Sequence, residues 1–317
     1  MEAAEILATK SPEELFPFDE EEAKRVFHEL ARQWHPDHNL NVARRVFQHV
    51  SQLYKEANEK IERGRWDEPG MVRLKQQSGK FATVKYIKKH EFELGEFFIG
   101  KDKIVYLITS NYDDLAKNGI SNMKGFSFAN AAMRQEFYPY LPHYEGQFKT
   151  HDGSRVIAID RDPDMVLLRD MITHLGGEIH VDHVAWIMNR CLNLLCYLEW
   201  VGLTHNAISL DTVYILPKDT SFTRQSGVLS PKDHTLALFG GWWYAVPRGA
   251  ELLGLPPQNV NFAPSSVLDS GVSTSQLDHT SVRVLGRELL GDKTGITLSK
   301  DKCPPLVYEW LTRLGSG

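Results

Sequence analysis

Leu203-Thr204-His205-Asn206-Ala207-Ile208-Ser209-Leu210-Asp211-Thr212-Val213-Tyr214-Ile215 is the stretch on which the fold turns. Before it, Val184, Ile187, Met188, Cys191, Leu195 and Leu198 recur at helical spacing, which predicts a long apolar helix from Val181. After it, Thr212–Leu216 and Thr235–Phe239 read as short strands, the second running into Leu236-Ala237-Leu238-Phe239-Gly240-Gly241. A helix, an ordered polar loop and a strand pair in this order place a histidine and several small residues at one turn.

That order resembles the catalytic loop of protein kinases, in which His-Arg-Asp is followed by a lysine and then an asparagine. His205 is kept. Ala207 stands where the family has its catalytic-base aspartate, Ser209 where it has the lysine, and Thr212 where it has the metal-holding asparagine. Leu238 takes the place of the metal-binding aspartate before Phe239-Gly240. Ala263-Pro264-Ser265 resembles the end of the activation segment, and Asp278 with Gly286 the buried helix after it. The resemblance spans roughly residues 85–314. In the small lobe, only Gly100 remains of the phosphate-covering glycines, with Phe98 and Lys103 at the other places. The resemblance implies a phosphate-binding lysine, for which Lys124 is preferred over Lys117, and a helix partner, Glu136. The bland alternative is that both lysines are surface residues. Phosphoryl transfer needs Mg²⁺ held by an aspartate and an asparagine, and a base for the hydroxyl proton. Leu238, Thr212 and Ala207 cannot do these jobs. The implied body is therefore a pseudokinase, with no catalytic residue, no metal and no cofactor, ATP included. A nucleotide-binding or weakly active atypical kinase is the alternative.

Working outward to the N-terminus, residues 1–66 are rich in helix formers. A short helix near Ala4–Ala8 leads to a second over Asp19–Trp34, with Glu20, Glu21 and Glu22 in its first turn. Val26, Phe27, Leu30, Ala31 and Trp34 form its apolar stripe, and Pro36 ends it. A third helix, Val42–Ile61, carries Val46, Phe47, Val50, Leu53, Tyr54 and Ala57. Two amphipathic helices joined by Trp34-His35-Pro36-Asp37-His38-Asn39 resemble the J-domain family. The resemblance implies a DnaK-type chaperone as partner, engaged by His35, Pro36 and Asp37 and by the basic face of Lys24, Arg25 and Arg32. Glu20–Glu22 and Glu29 make that helix less basic than in strong family members. The glycine-rich and zinc-binding modules that follow many J-domains are missing.

The expected class is α+β: an N-terminal helical J-domain hairpin, then a two-lobed protein-kinase-like fold. The expected divisions are 1–66 for the hairpin, 67–84 for a linker with extra strands, 85–174 for the small lobe and 175–317 for the large lobe, whose truncation is left open. Between 81 and 109, the segments Val84–Ile87, Phe92–Ile99 and Ile104–Ile108 read as strands, and Phe128–Tyr140 as a helix.

Net charge is −5 and 24% of residues are charged, an ordinary balance that argues against nucleic acid as partner. No apolar run reaches the length of a membrane-spanning helix, and the first residues lack a secretory pattern, so a cytoplasmic setting is expected. The 3 cysteines cannot frame a disulfide scaffold, and Cys191 and Cys196 read as core. His174, His180 and His183 flank Gly176-Gly177 without completing a metal site. Trp242-Trp243-Tyr244 leave two readings open: an exposed anchor for a partner, or packing of the disabled segment onto the large lobe. The partner beyond the chaperone is an unidentified protein client or assembly. A purely structural docking component is the further alternative.

Overall fold

The computed structural model describes residues 1–37, 41–217, 235–298 and 303–312. His38, Asn39 and Leu40 of the expected inter-helix loop lie outside these residues.

The chain opens with α1 (Ala3–Ala8), α2 (Glu20–Gln33) and α3 (Val42–Arg63). Asp19 caps α2 by accepting the Glu22 amide at 2.9 Å, and the acidic first turn complements the helix dipole. Gly64, at φ +72°, ends α3 in the left-handed region, and its amide donates to Ile61 O at 3.0 Å. Ile6, Phe16, Ala23, Leu30, Val46, Val50, Leu53 and Ala57 close one core between the three helices. Phe27 stacks on Tyr54 with centroids 4.2 Å apart. The expected antiparallel pairing of two amphipathic helices is what forms.

Residues 67–84, expected to be a linker with extra strands, lie within a sheet of their own that spans 65–85. It comprises β1 (Arg65–Glu68), β2 (Met71–Lys75) and β3 (Phe81–Lys85), paired antiparallel in that order. Its two faces do different work. Trp66 points into the helical core and meets Phe18, which also touches Phe81. Val72, Leu74 and Val84 pack instead on Phe98, Leu107 and Val156 of the next sheet. Burying a side chain of this size stabilises by about 1.5–3 kcal/mol. The small sheet is thus an apolar wedge between the helices and the body, and the ion pairs Arg65–Glu96 (2.6 Å) and Lys89–Glu96 (2.7 Å) line its edge.

The next sheet has five antiparallel strands: β4 (Lys88–Phe92), β5 (Gly95–Ile99), β6 (Lys103–Ile108), β7 (Tyr144–Lys149) and β8 (Arg155–Asp160), in the order β4-β5-β6-β8-β7. Successive side chains alternate between faces. Phe98, Leu107 and Val156 serve the wedge, while Phe97, Ile104, Tyr106, Ile108, Ile157 and Ile159 serve the main core. Both faces are covered, which is why β5 and β6 read as nearly continuous apolar runs. Between β6 and β7 lie α4 (Asp113–Lys124) and the short α5 (Ala131–Phe137). The helix expected at 128–140 forms as the shorter α5, and α4 is not expected from its sequence.

The rest is helical with small strand pairs. β9 (Val166–Leu167) leads into α6 (Leu168–His174), then α7 (Val181–Val201), β10 (Leu203–Thr204), β11 (Val213–Leu216), β12 (Thr235–Leu238), β13 (Val246–Pro247), α8 (Pro257–Val260), α9 (Ser265–Ser270), α10 (Ser275–Leu289) and α11 (Pro305–Thr312). β9 pairs with β11, so the chain leaves the five-stranded sheet at Asp160. α7 buries Val184, Ile187, Cys191, Leu194, Leu195 and Leu198 and ends at Gly202, φ +77°. Cys196, expected in the core, is exposed, because it falls on the outer face of α7. The architecture is a mixed α/β one, and no helix among the described residues is long and apolar enough to cross a membrane.

Candidate functional site

The loop between β10 and β11 is held from below by α10. Asp278, fully buried, accepts the amides of His205 and Asn206 at 2.7 Å each, one on each oxygen. Burial pushes its carboxyl up to about 6, against the lowering effect of those two donors. Asn206 sits at φ +64°, a left-handed conformation that asparagine tolerates, and its Nδ2 donates to Tyr244 O at 3.0 Å. His205 is also fully buried, and burial pushes its imidazole down to about 3. It is therefore neutral: Nε2 donates to Gly240 O at 3.0 Å and Nδ1 accepts the Ala207 amide at 3.3 Å. Thr212 Oγ1 donates to the carbonyl of Ala207 and accepts the Ser209 amide at 2.9 Å. The polar groups of the loop bond to one another and to the segments packed against it, and Ala207 and Leu238 are buried in the core.

Gly241, at φ +81°, lets the segment after β12 press on this loop. A Cβ there would stand 2.7 Å from His205 Cε1 and 2.9 Å from Ala207 Cβ. Trp242, Trp243 and Tyr244 follow as one 3₁₀ turn, and all three are buried. This closes the reading of a partner anchor. A 3₁₀ turn points successive side chains about 120° apart, which on a surface would leave one in water. Here the turn lies between the sheet, α4 and the loop, so every direction is inward. Trp242 meets His205 edge-on and donates Nε1 to Leu238 O at 2.8 Å; Trp243 meets Tyr106 at 4.7 Å. α4 binds the turn with two asparagines. Asn118 Nδ2 donates to Trp243 O and Ala245 O, and Asn122 Nδ2 to Trp242 O and Ala245 O, all at 2.8–3.0 Å. Gly119 admits this approach, since its Cβ would stand 3.1 Å from Trp243 N.

The sheet and the loop enclose a cleft lined by Glu91, Phe92, Glu93, Tyr106, Asp211 and Trp243, among others. Lys124 is not in it. It is exposed at the end of α4, over the Tyr144 ring at 4.4 Å, while Glu136 is exposed on α5, and no ion pair joins them among the described residues. Lys117 pairs on the surface with Asp113 and Asp114. From β6 it is Tyr106 that faces the cleft, a residue the sequence reading passed over. Burial holds the Tyr106 and Tyr214 phenols well above their ordinary range, and the two hydroxyls face each other. Asp211 is taken by Arg169 in a bidentate pair, Nη2 to Oδ2 at 2.6 Å, so it is not a spare metal ligand. No lysine, arginine or histidine lines the cleft among the described residues, and no three acidic, histidine or cysteine side chains come close enough there to hold a metal.

The second site is the tip of the α2–α3 hairpin. His35 and Asp37 are exposed, with Pro36 half-buried between them. His35 Nδ1 lies 3.2 Å from Asp37 Oδ2 and 3.4 Å from the Asp37 amide. Protonated, the ring donates to the carboxylate; neutral, it accepts from the amide. Its ring leans on Phe47, 6.3 Å between centroids. Lys24, Arg25 and Arg32 share an exposed face of α2 with Glu21, His28 and Glu29, and Arg25 reaches Glu22 at 3.8 Å.

No known family model matches the chain, and no curated protein matches it. Among solved structures, it is similar to the Rad53 kinase domain with SCD2, at 13% identity and a TM-score of 0.44, over 79% of this chain and 72% of that one. It is also similar to the kinase domain of PF14_0431, at 16% identity and a TM-score of 0.48, over 65% of this chain and 63% of that one.

Proposed function

We infer that this chain is a J-domain co-chaperone: α1–α3 recruit a DnaK-type chaperone and stimulate its ATPase, and a kinase-like body without catalysis binds the protein to be delivered. The observation that carries the reading is exposed His35 and Asp37 around half-buried Pro36 at the tip of a helical hairpin, beside the basic face of α2. Pro36 fixes the turn, Asp37 offers an acceptor to a cationic partner, and Lys24, Arg25 and Arg32 steer an acidic surface in a salt-dependent way. The test is steady-state ATP hydrolysis by a DnaK-type chaperone with this protein and with His35→Gln. Wild type stimulates hydrolysis and His35→Gln does not, with an unchanged melting temperature because His35 is exposed. Equal rates with both proteins sink the reading.

The silence of the body is supported by the cleft. A polyphosphate entering it meets Glu91, Glu93 and the Arg169-paired Asp211, with no cation on the wall among the described residues to offset them. The loop has no free acceptor for a hydroxyl proton, since Ala207 and Thr212 stand at the decisive positions. Millimolar ATP with Mg²⁺ or Mn²⁺ is expected to leave the melting temperature unchanged, because only a ligand that binds the native state raises it. A dose-dependent rise would instead favour a nucleotide-binding body.

A further inference from the structure

The strand that borders the cleft is an edge strand. β4 bonds along one side, to β5, and its other side has no strand beside it among the described residues. From this strand Lys88 and His90, which share a face, reach Asp170 on α6, 82 and 80 residues on in the chain. His90 Nε2 lies 3.1 Å from Asp170 Oδ2, and Lys88 Nζ meets the other oxygen. The His90–Asp170 pair is sheltered, with 15% and 14% of the two side chains exposed, whereas Lys88 is half exposed and its share is screened by solvent. Both sides of this bridge abut the cleft wall. His90 stacks on Phe97, 4.9 Å between centroids, and Phe97 lines the cleft. Asp170 follows Arg169, whose partner Asp211 also lines it. Beyond the other end of β4, the Tyr244 hydroxyl donates to Glu93 at 2.9 Å. Burial by itself would raise the Asp170 carboxyl, but the hydrogen bonds from His90 and Lys88 hold it below its ordinary value. The other groups facing the pair are Arg169, which Asp211 holds and Glu288 on α10 also attracts, and the Tyr214 phenol on β11, which burial keeps protonated. On β4 itself, Lys89 is turned to Glu96, and Glu91 is exposed. Of these side-chain types, only imidazole changes charge near neutral pH.

We propose that Lys88, His90 and Asp170 form a strap that gates the cleft, shut while His90 is protonated and loosened when His90 is neutral. The protonated ring gives the carboxylate a charge-assisted hydrogen bond. The neutral ring can still donate the same N–H, but without charge, and charge-assisted bonds are about twice as strong. The carboxylate of Asp170 is needed in either state. The strap is therefore tightest in mildly acidic solution, weakens as pH rises and His90 loses its proton, and is lost in strong acid as Asp170 takes one up. With the strap loosened, β4 is left to its hydrogen bonds with β5 and the Glu93–Tyr244 contact, and it can swing away from α6. The proposal goes beyond the co-chaperone reading and is independent of it, because α1–α3 contribute no residue to the strap.

The test is amide hydrogen exchange of the full chain, read by mass spectrometry as protection factors corrected for the intrinsic exchange rate at each pH. In wild type, protection over residues 88–93 is expected to be about fivefold greater at about pH 6 than at about pH 8, the step between a charge-assisted and a neutral hydrogen bond. His90→Gln keeps an N–H donor without a titratable charge, and it should remove that difference. Asp278 and His205 titrate alike in both proteins, so their effect cancels in the comparison. Asp170→Asn should lower protection over 88–93 at both pH values, to below that of wild type at the higher one, while α3 and α7 keep theirs, which separates local opening from a general loss of stability. Equal wild-type protection at the two pH values, an unchanged difference in His90→Gln, or a change of the same size over α7 overturns the proposal. If Asp170→Asn does not fold, the comparison of wild type with His90→Gln decides alone.

Discussion

Asp278→Ala loses about 3 kcal/mol of unfolding free energy, because two buried backbone donors, the amides of His205 and Asn206, lose their only acceptor. Denaturant unfolding of the full chain measures it, and a loss below about 1 kcal/mol would contradict the buried, doubly bonded geometry. A pH series separates the charge from the hydrogen bonds. The folded-state pKa of Asp278 is raised to about 6, so between the ordinary carboxylate value and about 6 the native state holds a proton that the unfolded chain has released. Stability from this group is therefore greatest at low pH and is lost as pH rises toward and through about 6. The size is about 3 kcal/mol, from two pKa units and a fraction. His205 works the other way. Its folded-state pKa is depressed to about 3, so stability from it is present above the ordinary imidazole value and is lost as pH falls. The two opposed dependences flatten the wild-type curve. The difference between wild type and Asp278→Asn isolates the carboxylate: it should move in favour of wild type as pH falls from about 6 to about 4.

Gly241→Val costs about 3 kcal/mol or more, from left-handed backbone strain of about 1–2 kcal/mol together with overpacking of similar size. The overlap cannot relax easily. The ring a Cβ would strike, His205, is fixed by Gly240 O on one side and the edge of Trp242 on the other. Ala207, the second obstacle, belongs to a loop pinned by Thr212 and Asp278. Chemical denaturation is again the measurement. A loss under about 1 kcal/mol would mean that the segment after β12 can lift off the loop. Gly249→Ala is the control: that glycine also has a positive φ of +84°, but nothing lies within 4 Å of its Cβ position, so only the backbone contribution remains.

Much of the fold was legible because its signals are local. The helices around Ala4–Ala8, Asp19–Trp34, Val42–Ile61 and Val181–Leu198 were written in apolar spacing, caps and the prolines and glycines that stop them. The strands around Phe92–Ile108 were legible from β-branched and aromatic runs. α4 was not. Its interior holds Asn118, Gly119 and Asn122, poor helix formers that read as loop. In the folded chain these are the residues the helix needs: two amides for the carbonyls of 242–245 and a glycine for close approach. Tertiary contacts there outweigh propensity. Lys124 and Glu136, expected as partners, lie on different helices, α4 and α5, and are both exposed, while Tyr106 on β6 faces the cleft. The aromatic trio failed differently. Adjacency in sequence suggested that one ring must face water, and only the enclosing sheet, helix and loop removed that option.

The sequence alone determined which side chains are present: Ala207, Thr212 and Leu238 carry no carboxylate, in any fold. It also determined the helical hairpin, since its stripe and the proline that ends its first helix act within a few residues of each other. Tertiary structure alone decided the state of the groups that remain. Asp211 is spent on Arg169, His205 is a neutral brace rather than a titrating base, and Glu91, Glu93 and Tyr106 share one cleft although Tyr106 lies on a different strand. The reason is physical. Residue type fixes what a group can do, but burial, partner charges and distance fix its protonation and its neighbours, and those come only from segments far apart in the chain.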